Sequence, residues 1–380
     1  TESPHARWAS VGMGKWSSVV EPAAEGMPSV RVHLFTGDAW ALREFPPEVR
    51  RVVSFLQRFL PEFDQEEIEV YQTLSATSGQ SMAYGWFKKA AGMVGIRTVK
   101  PSEVGQASTS DPQGETLAQR QIVQQIAHQY WGQNIAPNSA RDGWLTDALA
   151  DAYSAFYVRM VHGRDDYDEL MASVRESIED PVERAATKDQ VNRRRRAMSL
   201  TGNTSLSDIS SNVMSKYGLF VLANSLRVRV GDQAYFMGLD RLARRRDKSW
   251  VTTDDLQAIL EETSGVDLSD FFNYWVHGGQ VPDIKVEVRE EASEDGVTLH
   301  GCISTGQPFG HFDLPIRIAD NAGERFAEAL VDVDNGLGSF TVPGRQADAT
   351  VTVDPDGTLL LYGRKVKTVR GTKPTSCEAG

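Results

Sequence analysis

The stretch Gln121-Ile-Val-Gln-Gln-Ile-Ala-His-Gln-Tyr-Trp-Gly132 decides the fold that this chain of 380 residues is expected to have. We predict a helix here, and Gln124 and His128, four residues apart, then point from one face of it. Two side chains at this spacing can bind one metal ion, but the neutral amide of Gln124 is a poor zinc ligand. Gln125, the next residue, cannot accept a proton near neutral pH. The helix therefore has the spacing of a metal site and only one good ligand, His128.

A second predicted helix contains the stretch Trp144-Leu-Thr-Asp-Ala-Leu-Ala-Asp-Ala-Tyr153, and eighteen residues separate His128 from Asp147 within it. Together the two stretches resemble the motif H-E-x-x-H, followed by W-L-N-E, of the M1 aminopeptidases, a family of gluzincin zinc peptidases. The resemblance implies that Gln124, His128 and Asp147 stand at the positions of the three zinc ligands. It also implies that Gln125 replaces the glutamate that acts as general base.

Two further M1 motifs are changed as well. The motif G-x-M-E-N, whose glutamate holds the free amino group of the substrate, has its nearest match in Ala91-Gly-Met-Val-Gly-Ile96, which puts Val94 at the glutamate. The motif Y-E-K-G-x-x-V-L resembles Ser215-Lys-Tyr-Gly-Leu-Phe-Val-Leu222 and puts Ser215 at the tyrosine that stabilises the tetrahedral intermediate. Tyr217 is two residues further on, on another side of the predicted helix.

The resemblance continues into the C-terminal half of the chain. The segment Thr252–Trp275 is similar to a helical T-x-x-D-L and S-G-x-D-L-x-x-F-x-x-W stretch of M1 enzymes, and Pro282 then leads into a strand. Agreement in the same order over roughly residues 12 to 362 is more specific than any one motif.

The fold that this resemblance implies is α+β: a thermolysin-like M1 catalytic domain with a helical lower half, followed by a small all-β, Ig-like sandwich. We expect residues 1–35 to be the remnant of an N-terminal β-domain and its linker, and residues 36–280 to be the gluzincin domain. We expect residues 281–362 to form the sandwich, because alternating apolar residues there are separated by Asp-Gly and Asn-Gly turns. Residues 363–380 are polar and are expected to be a disordered tail. Because the chain starts with Thr1 and not with Met, we expect it to be a piece of a longer protein.

Composition excludes several classes of function. The net charge of −12 argues against a general nucleic-acid-binding protein. The sequence has no apolar run of the roughly 18 residues that a membrane span requires. The two cysteines, Cys302 and Cys377, do not make a disulfide framework, and the sequence leaves the compartment open.

Two basic runs stand out in this acidic chain, and each has two interpretations. They are solvated helix faces or helix C-termini, where cations are favoured, or a docking patch for an acidic partner or for membrane headgroups. The runs consist of Arg193, Arg194, Arg195 and Arg196, and of Arg244, Arg245 and Arg246.

Three hypotheses about function follow. In the first, the chain is an inactive M1-like protein without a cofactor, which binds a protein or peptide as a scaffolding subunit of a larger assembly. In this case His128 bonds directly to Asp147, or Gln124 fills the space that a metal would take. In the second, the chain is a zinc-dependent M1 metallo-aminopeptidase with an atypical site made by His128, Asp147 and a glutamine. In the third, Ser215, Lys216 and His128 form a nucleophile set for a different hydrolysis.

Overall fold

The computed structural model describes two compact units, which are treated separately below. Unit 1 consists of Thr1–Leu170 and Val230–Val266, and unit 2 consists of Met171–Arg229 and Asp267–Gly380. Within these units the structure describes residues 16–35, 41–62, 66–72, 93–96, 112–132, 134–183, 199–202, 211–245, 250–293, 296–305, 309–319, 325–344, 349–362, 364, 366–369 and 377.

Unit 1 begins with a four-stranded sheet in the order β1-β2-β3-β4. Its strands are β1 (Trp16–Glu21), β2 (Ser29–Phe35), β3 (Glu67–Gln72) and β4 (Met93–Ile96). Strands β1 and β2 are antiparallel, whereas β2, β3 and β4 run parallel. Because β2 pairs directly with β3, residues 16–35 belong to the sheet of unit 1. This pairing is long-range information that the local pattern lacks. The assignment of residues 1–35 to the remnant of an N-terminal β-domain and its linker stays a prediction.

The helices of unit 1 bury the apolar residues that their sequence spacing predicts. Helix α1 (Ala41–Leu56) places Val49, Val52, Val53 and Leu56 in the core, at the spacing of one helix face. The other helices that lie wholly in this unit are α2 (Pro112–Tyr130), α3 (Gly143–Val161), α7 (Asp232–Ala243) and α8 (Thr253–Ser264), and α4 (Arg164–Glu183) begins in it. The short strands β5 (Ala136–Pro137) and β6 (Trp250–Val251) pair in parallel.

Helix α8 confirms the helix that was predicted after Thr252. The Thr252 hydroxyl accepts a hydrogen bond from the Asp255 backbone N–H, and the Asp255 carboxylate accepts one from the Thr252 backbone N–H. This reciprocal capping box satisfies two backbone donors at the start of the helix. The helix ends at Gly265, whose φ of 72° lies in the left-handed region that favours glycine.

The helical part of unit 2 contains two short helices that continue as π-helical turns. Helix α5 (Ser211–Phe220) continues through Val221–Leu226 into α6 (Arg227–Val230), and α9 (Ser269–Phe271) continues through Phe272–His277. None of the helices in the described residues is both long and apolar enough to cross a lipid bilayer.

Unit 2 ends in one nearly closed, barrel-like sheet of seven strands, in the order β12-β9-β10-β11-β8-β7-β13. The edge strands β12 and β13 contact each other. The strands are β7 (Ile284–Ser293), β8 (Gly296–Thr305), β9 (Phe312–Ala319), β10 (Arg325–Asp334), β11 (Leu337–Gly344), β12 (Thr350–Val353) and β13 (Val366–Val369). Strands were predicted between Ile284 and Leu361, where β7 to β12 lie, but β13 was not, and the predicted sandwich is corrected to a single sheet. Alternation shows which side chains face the core, and only the pairing shows how many sheets the strands make.

The C-terminal residues correct one further expectation. Strand β13 pairs in parallel with β7, and Cys377 forms a disulfide with Cys302 of β8, with the two Cα atoms 5.5 Å apart. The prediction of a disordered tail over residues 363–380 is therefore wrong for Val366–Val369 and for Cys377. Both partners lie far away in sequence, so no local pattern could reveal these contacts.

Candidate functional site

Helices α2 and α3 of unit 1 pack antiparallel and carry the residues that were predicted to be vestigial ligands. His128, near the end of α2, faces Asp147, near the start of α3. Gln124, one turn before His128, faces Asp151, one turn after Asp147. The pairs are spaced by four residues on each helix, so they follow one another along the helix contact. We call Arg120, Gln124, His128, Asp147 and Asp151 the polar ladder.

The His128 imidazole is 1% exposed and has polar groups at both nitrogens. Its Nδ1 lies 3.2 Å from the Trp131 carbonyl oxygen, which can only accept, so Nδ1 carries a proton. Its Nε2 lies 3.6 Å from Asp147 Oδ1, in ion-pair range but too long for a hydrogen bond. The predicted direct hydrogen bond between His128 and Asp147 is therefore corrected to a longer electrostatic contact.

Gln124, predicted to stand at the first ligand position, donates a hydrogen bond from its side-chain amide to Asp151. Asp151 is buried, and its carboxylate also acts on the guanidinium of Arg120. Burial lowers the pKa of Arg120, and the Asp151 carboxylate partly offsets this by raising it. The side chain of Gln124 is thus part of a network in which Arg120 supplies the positive charge beside the buried carboxylate.

Gln125, predicted to stand at the general-base position, is buried, and its Oε1 has no hydrogen-bond partner among the residues that the structure describes. An amide has no protonation equilibrium near neutral pH, so this side chain cannot take a proton from water. The expected loss of a base at this position therefore rests on the chemistry of the residue itself.

The residues of the ladder do not fit the three-ligand zinc of a catalytic site. His128 and Asp147 offer one imidazole and one carboxylate, but the amide group of Gln124 is directed to Asp151. Within the described part of the chain, the one group of three His, Cys, Asp or Glu side chains with converging ligand atoms is elsewhere, at His311, Asp313 and Asp332. In that group His311 Nε2 lies 2.9 Å from Asp332 Oδ1 and Arg229 pairs with Asp313, so both carboxylates already have partners within the protein.

The remaining predicted positions lie on other elements. Val94 is in β4, opposite Val70 of β3, and its side chain is outside the described residues. Ser215 is half-buried in α5 of unit 2. Tyr217 is fully buried there and donates a hydrogen bond from its hydroxyl to the Trp275 carbonyl oxygen at 2.7 Å. Tyr217 therefore holds two helical segments of unit 2 together.

The predicted docking patch is described only in part, because residues 193–196 and Arg246 lie outside the described residues. Arg244 binds both carboxylate oxygens of Asp240 at 2.8 Å, and Arg245 binds Asp255 at 2.8 Å. Their charges are thus paired within unit 1, as at an ordinary helix C-terminus. The docking role itself stays a prediction.

Sequence reasoning missed the role of Arg120 and gave Asp151 no function. The sequence did contain a signal for both residues, namely the spacing of four that puts two residues on one helix face. Arg120 precedes Gln124 by four residues, and Asp151 follows Asp147 by four. Spacing alone, however, does not say which residues of two helices face each other.

Comparison with known proteins supports the fold. No protein-family model matches the chain, and no curated protein matches it at a significant level. The chain is similar to the crystal structure of Legionella pneumophila aminopeptidase A in complex with aspartic acid, with a TM-score of 0.70 and 14% sequence identity. The match covers 95% of this chain and 39% of that chain, so the present chain spans about two fifths of that structure. The chain thus has an aminopeptidase-like α+β fold.

Proposed function

We propose that this chain is a catalytically inactive protein of the M1 aminopeptidase type that binds a protein or peptide partner within a larger assembly. The observation that carries the proposal is the hydrogen bond from Gln124 to Asp151. Here the amide at the predicted ligand position acts as a donor and is joined to a buried carboxylate. A metal at this position would have to displace the bond and would gain only a neutral oxygen ligand.

The chemistry of peptide hydrolysis supports the same conclusion. A zinc peptidase needs a metal-bound water, a base to deprotonate it and a donor for the tetrahedral intermediate. In this chain Gln124 and Gln125 replace a ligand and the base, and the resemblance puts Ser215 at the position of the donor. A binding role requires none of these groups, and clefts in large folds commonly bind ligands.

The alternative is a metallo-aminopeptidase with an atypical site. One observation favours it: the 3.6 Å between His128 Nε2 and Asp147 Oδ1 is close to the separation of two ligands on one tetrahedral zinc ion. The bond from Gln124 to Asp151 favours the inactive form, because it leaves the pair one ligand short.

Zinc content and peptidase activity test the proposal. We expect the dialysed chain and its His128→Ala variant to differ by less than about a tenth of an equivalent of zinc, because His128 and Asp147 alone do not hold the metal. We also expect no turnover of fluorogenic aminoacyl substrates, with or without added zinc. The variant is the matched control, because it removes the best ligand and leaves other metal-binding groups in place. About one equivalent of zinc that depends on His128, together with turnover of the substrates, would refute the proposal.

Restoring the ligands gives a second prediction. The Gln124→His, Gln125→Glu double variant should bind about one equivalent of zinc, because three good ligands are then available with Asp147. We expect no turnover, since Val94 and Ser215 still stand at the other two functional positions. The control is Gln124→Ala with Gln125→Ala, which removes the same amides and should bind none. Peptidase activity in the first variant would show that Val94 and Ser215 were placed wrongly.

A further inference from the structure

Unit 2 contains a cavity of about 200 Å³ whose walls come from α6, α9 and strands β9 and β10. This is smaller than the roughly 300–1,000 Å³ of typical small-molecule sites. It suits one long side chain better than a whole cofactor. Two apolar residues at the cavity, Val228 and Leu330, are 47% and 65% exposed. Exposed apolar side chains beside a cavity are typical of surfaces that bind another protein.

The floor of the cavity is aromatic and fixed. Phe271, Trp275 and Phe312 line it, and all three are buried. The Phe271 and Trp275 rings stack with centroids 5.2 Å apart, and the Phe312 ring meets Trp275 edge-on at 5.8 Å. The indole Nε1 of Trp275 has no hydrogen-bond partner among the described residues. Buried aromatic rings that already contact one another present a surface that needs no reorganisation when a guest binds.

The charge at the cavity is negative. Three carboxylates line it, from Asp267, Asp270 and Asp313, against one guanidinium, from Arg229, which pairs with Asp313. Among the aspartate and arginine side chains of the lining, carboxylates therefore outnumber guanidinium groups by two. The hydrogen bond from the Ser269 backbone N–H to Asp267 lowers the pKa of that carboxyl and keeps it ionised at neutral pH.

We propose that this cavity receives a cationic side chain of a protein partner, and that arginine fits it best. A flat guanidinium stacks on aromatic faces and donates several hydrogen bonds to carboxylates, and it is less strongly hydrated than an ammonium group. The aromatic floor offers faces for the stacking, and Asp267 and Asp270 offer carboxylates for the hydrogen bonds. The net charge of −12 of the whole chain also favours a basic partner. This inference names the partner chemistry of the proposed binding function and rests on that function.

A substitution at Asp270 tests the role of charge in the cavity most directly. Its Oδ2 accepts a hydrogen bond from the His311 backbone N–H at 3.0 Å, and an asparagine can still accept that bond. Asp270→Asn thus removes the charge without removing the structural contact. The matched control is Asp254→Asn, the same change at an exposed position in the first turn of α8, outside the cavity lining.

The test is calorimetric titration of the whole chain with the peptide acetyl-Ala-Ala-Arg-Ala-Ala-amide, and with versions that carry norleucine or glutamate in place of arginine. We expect the arginine peptide to bind about tenfold more tightly than the norleucine peptide, as one charge-assisted hydrogen bond predicts. Asp270→Asn should abolish this preference, and Leu330→Ala should weaken the binding of both the arginine and the norleucine peptide. Asp254→Asn should change neither the preference nor the affinities.

Three results would overturn the inference: equal affinity for arginine and norleucine, equal loss in Asp270→Asn and Asp254→Asn, or no binding of the arginine peptide up to about 10 mM. Each is independent of the zinc and peptidase measurements. An active, zinc-loaded site at His128 would refute the proposed function. A titration without detectable binding of the arginine peptide would refute only the assignment of this cavity.

Discussion

Removing the disulfide between Cys302 and Cys377 is expected to lower the free energy of unfolding by about 2–4 kcal/mol. The cross-link joins residues separated by 75 positions, so it restricts the unfolded chain strongly. In the folded state it links Cys377 to β8, whereas the nearby strand β13 has only four residues and is held through its parallel pairing with β7. Cys377→Ser is the better variant, because Cys302 is buried and would place a serine hydroxyl in the core.

Urea unfolding with and without dithiothreitol measures the effect. The reductant should destabilise the native chain by the same amount as the Cys377→Ser substitution and should leave the variant unchanged. This comparison separates the cross-link from any effect of the serine itself. Two free thiols in the unreduced, unfolded native protein would contradict the disulfide between Cys302 and Cys377.

The polar ladder gives the second large effect. Asp151→Ala is expected to destabilise the chain by about 3 kcal/mol, because the substitution removes the partner of a desolvated guanidinium and of an amide together. Gln124 loses its acceptor, and Arg120 loses the carboxylate that offsets its burial. Chemical denaturation measures the loss, and circular dichroism of the variant shows whether the fold is kept.

Asp147→Ala is the matched control, one helical turn earlier on the same helix. The Asp147 side chain is 50% exposed and lies 3.6 Å from His128, so its removal should cost less than about 1 kcal/mol. A double-mutant cycle with Arg120→Met then isolates the coupling between Arg120 and Asp151. Equal losses for Asp147→Ala and Asp151→Ala, or no coupling in the cycle, would show that the ladder carries no special stabilisation.

The sequence predicted the elements of the site but not its contacts. The i, i+4 frame placed Gln124 and His128 on one helix face, and the resemblance to the M1 motif implied Asp147, on the next predicted helix, as the third residue. The first placement depends on local periodicity, which a helix preserves whatever it packs against. The partner of Gln124 proved to be Asp151, because the relative rotation and rise of two packed helices decide which residue of a turn is nearest.

The fold divides in the same way into features set by local pattern and features set by long-range pairing. The sequence alone determined the helices, the strands between Ile284 and Leu361, the α+β class and the absence of a titratable group at Gln125, since all of these follow from residue type and local pattern. Only the tertiary structure decided that residues 16–35 join the first sheet, that seven strands close into one barrel-like sheet, and that Cys377 reaches Cys302. These features depend on pairing between residues distant in the chain, whose free energy comes from burying both partners together and is not encoded in either segment by itself.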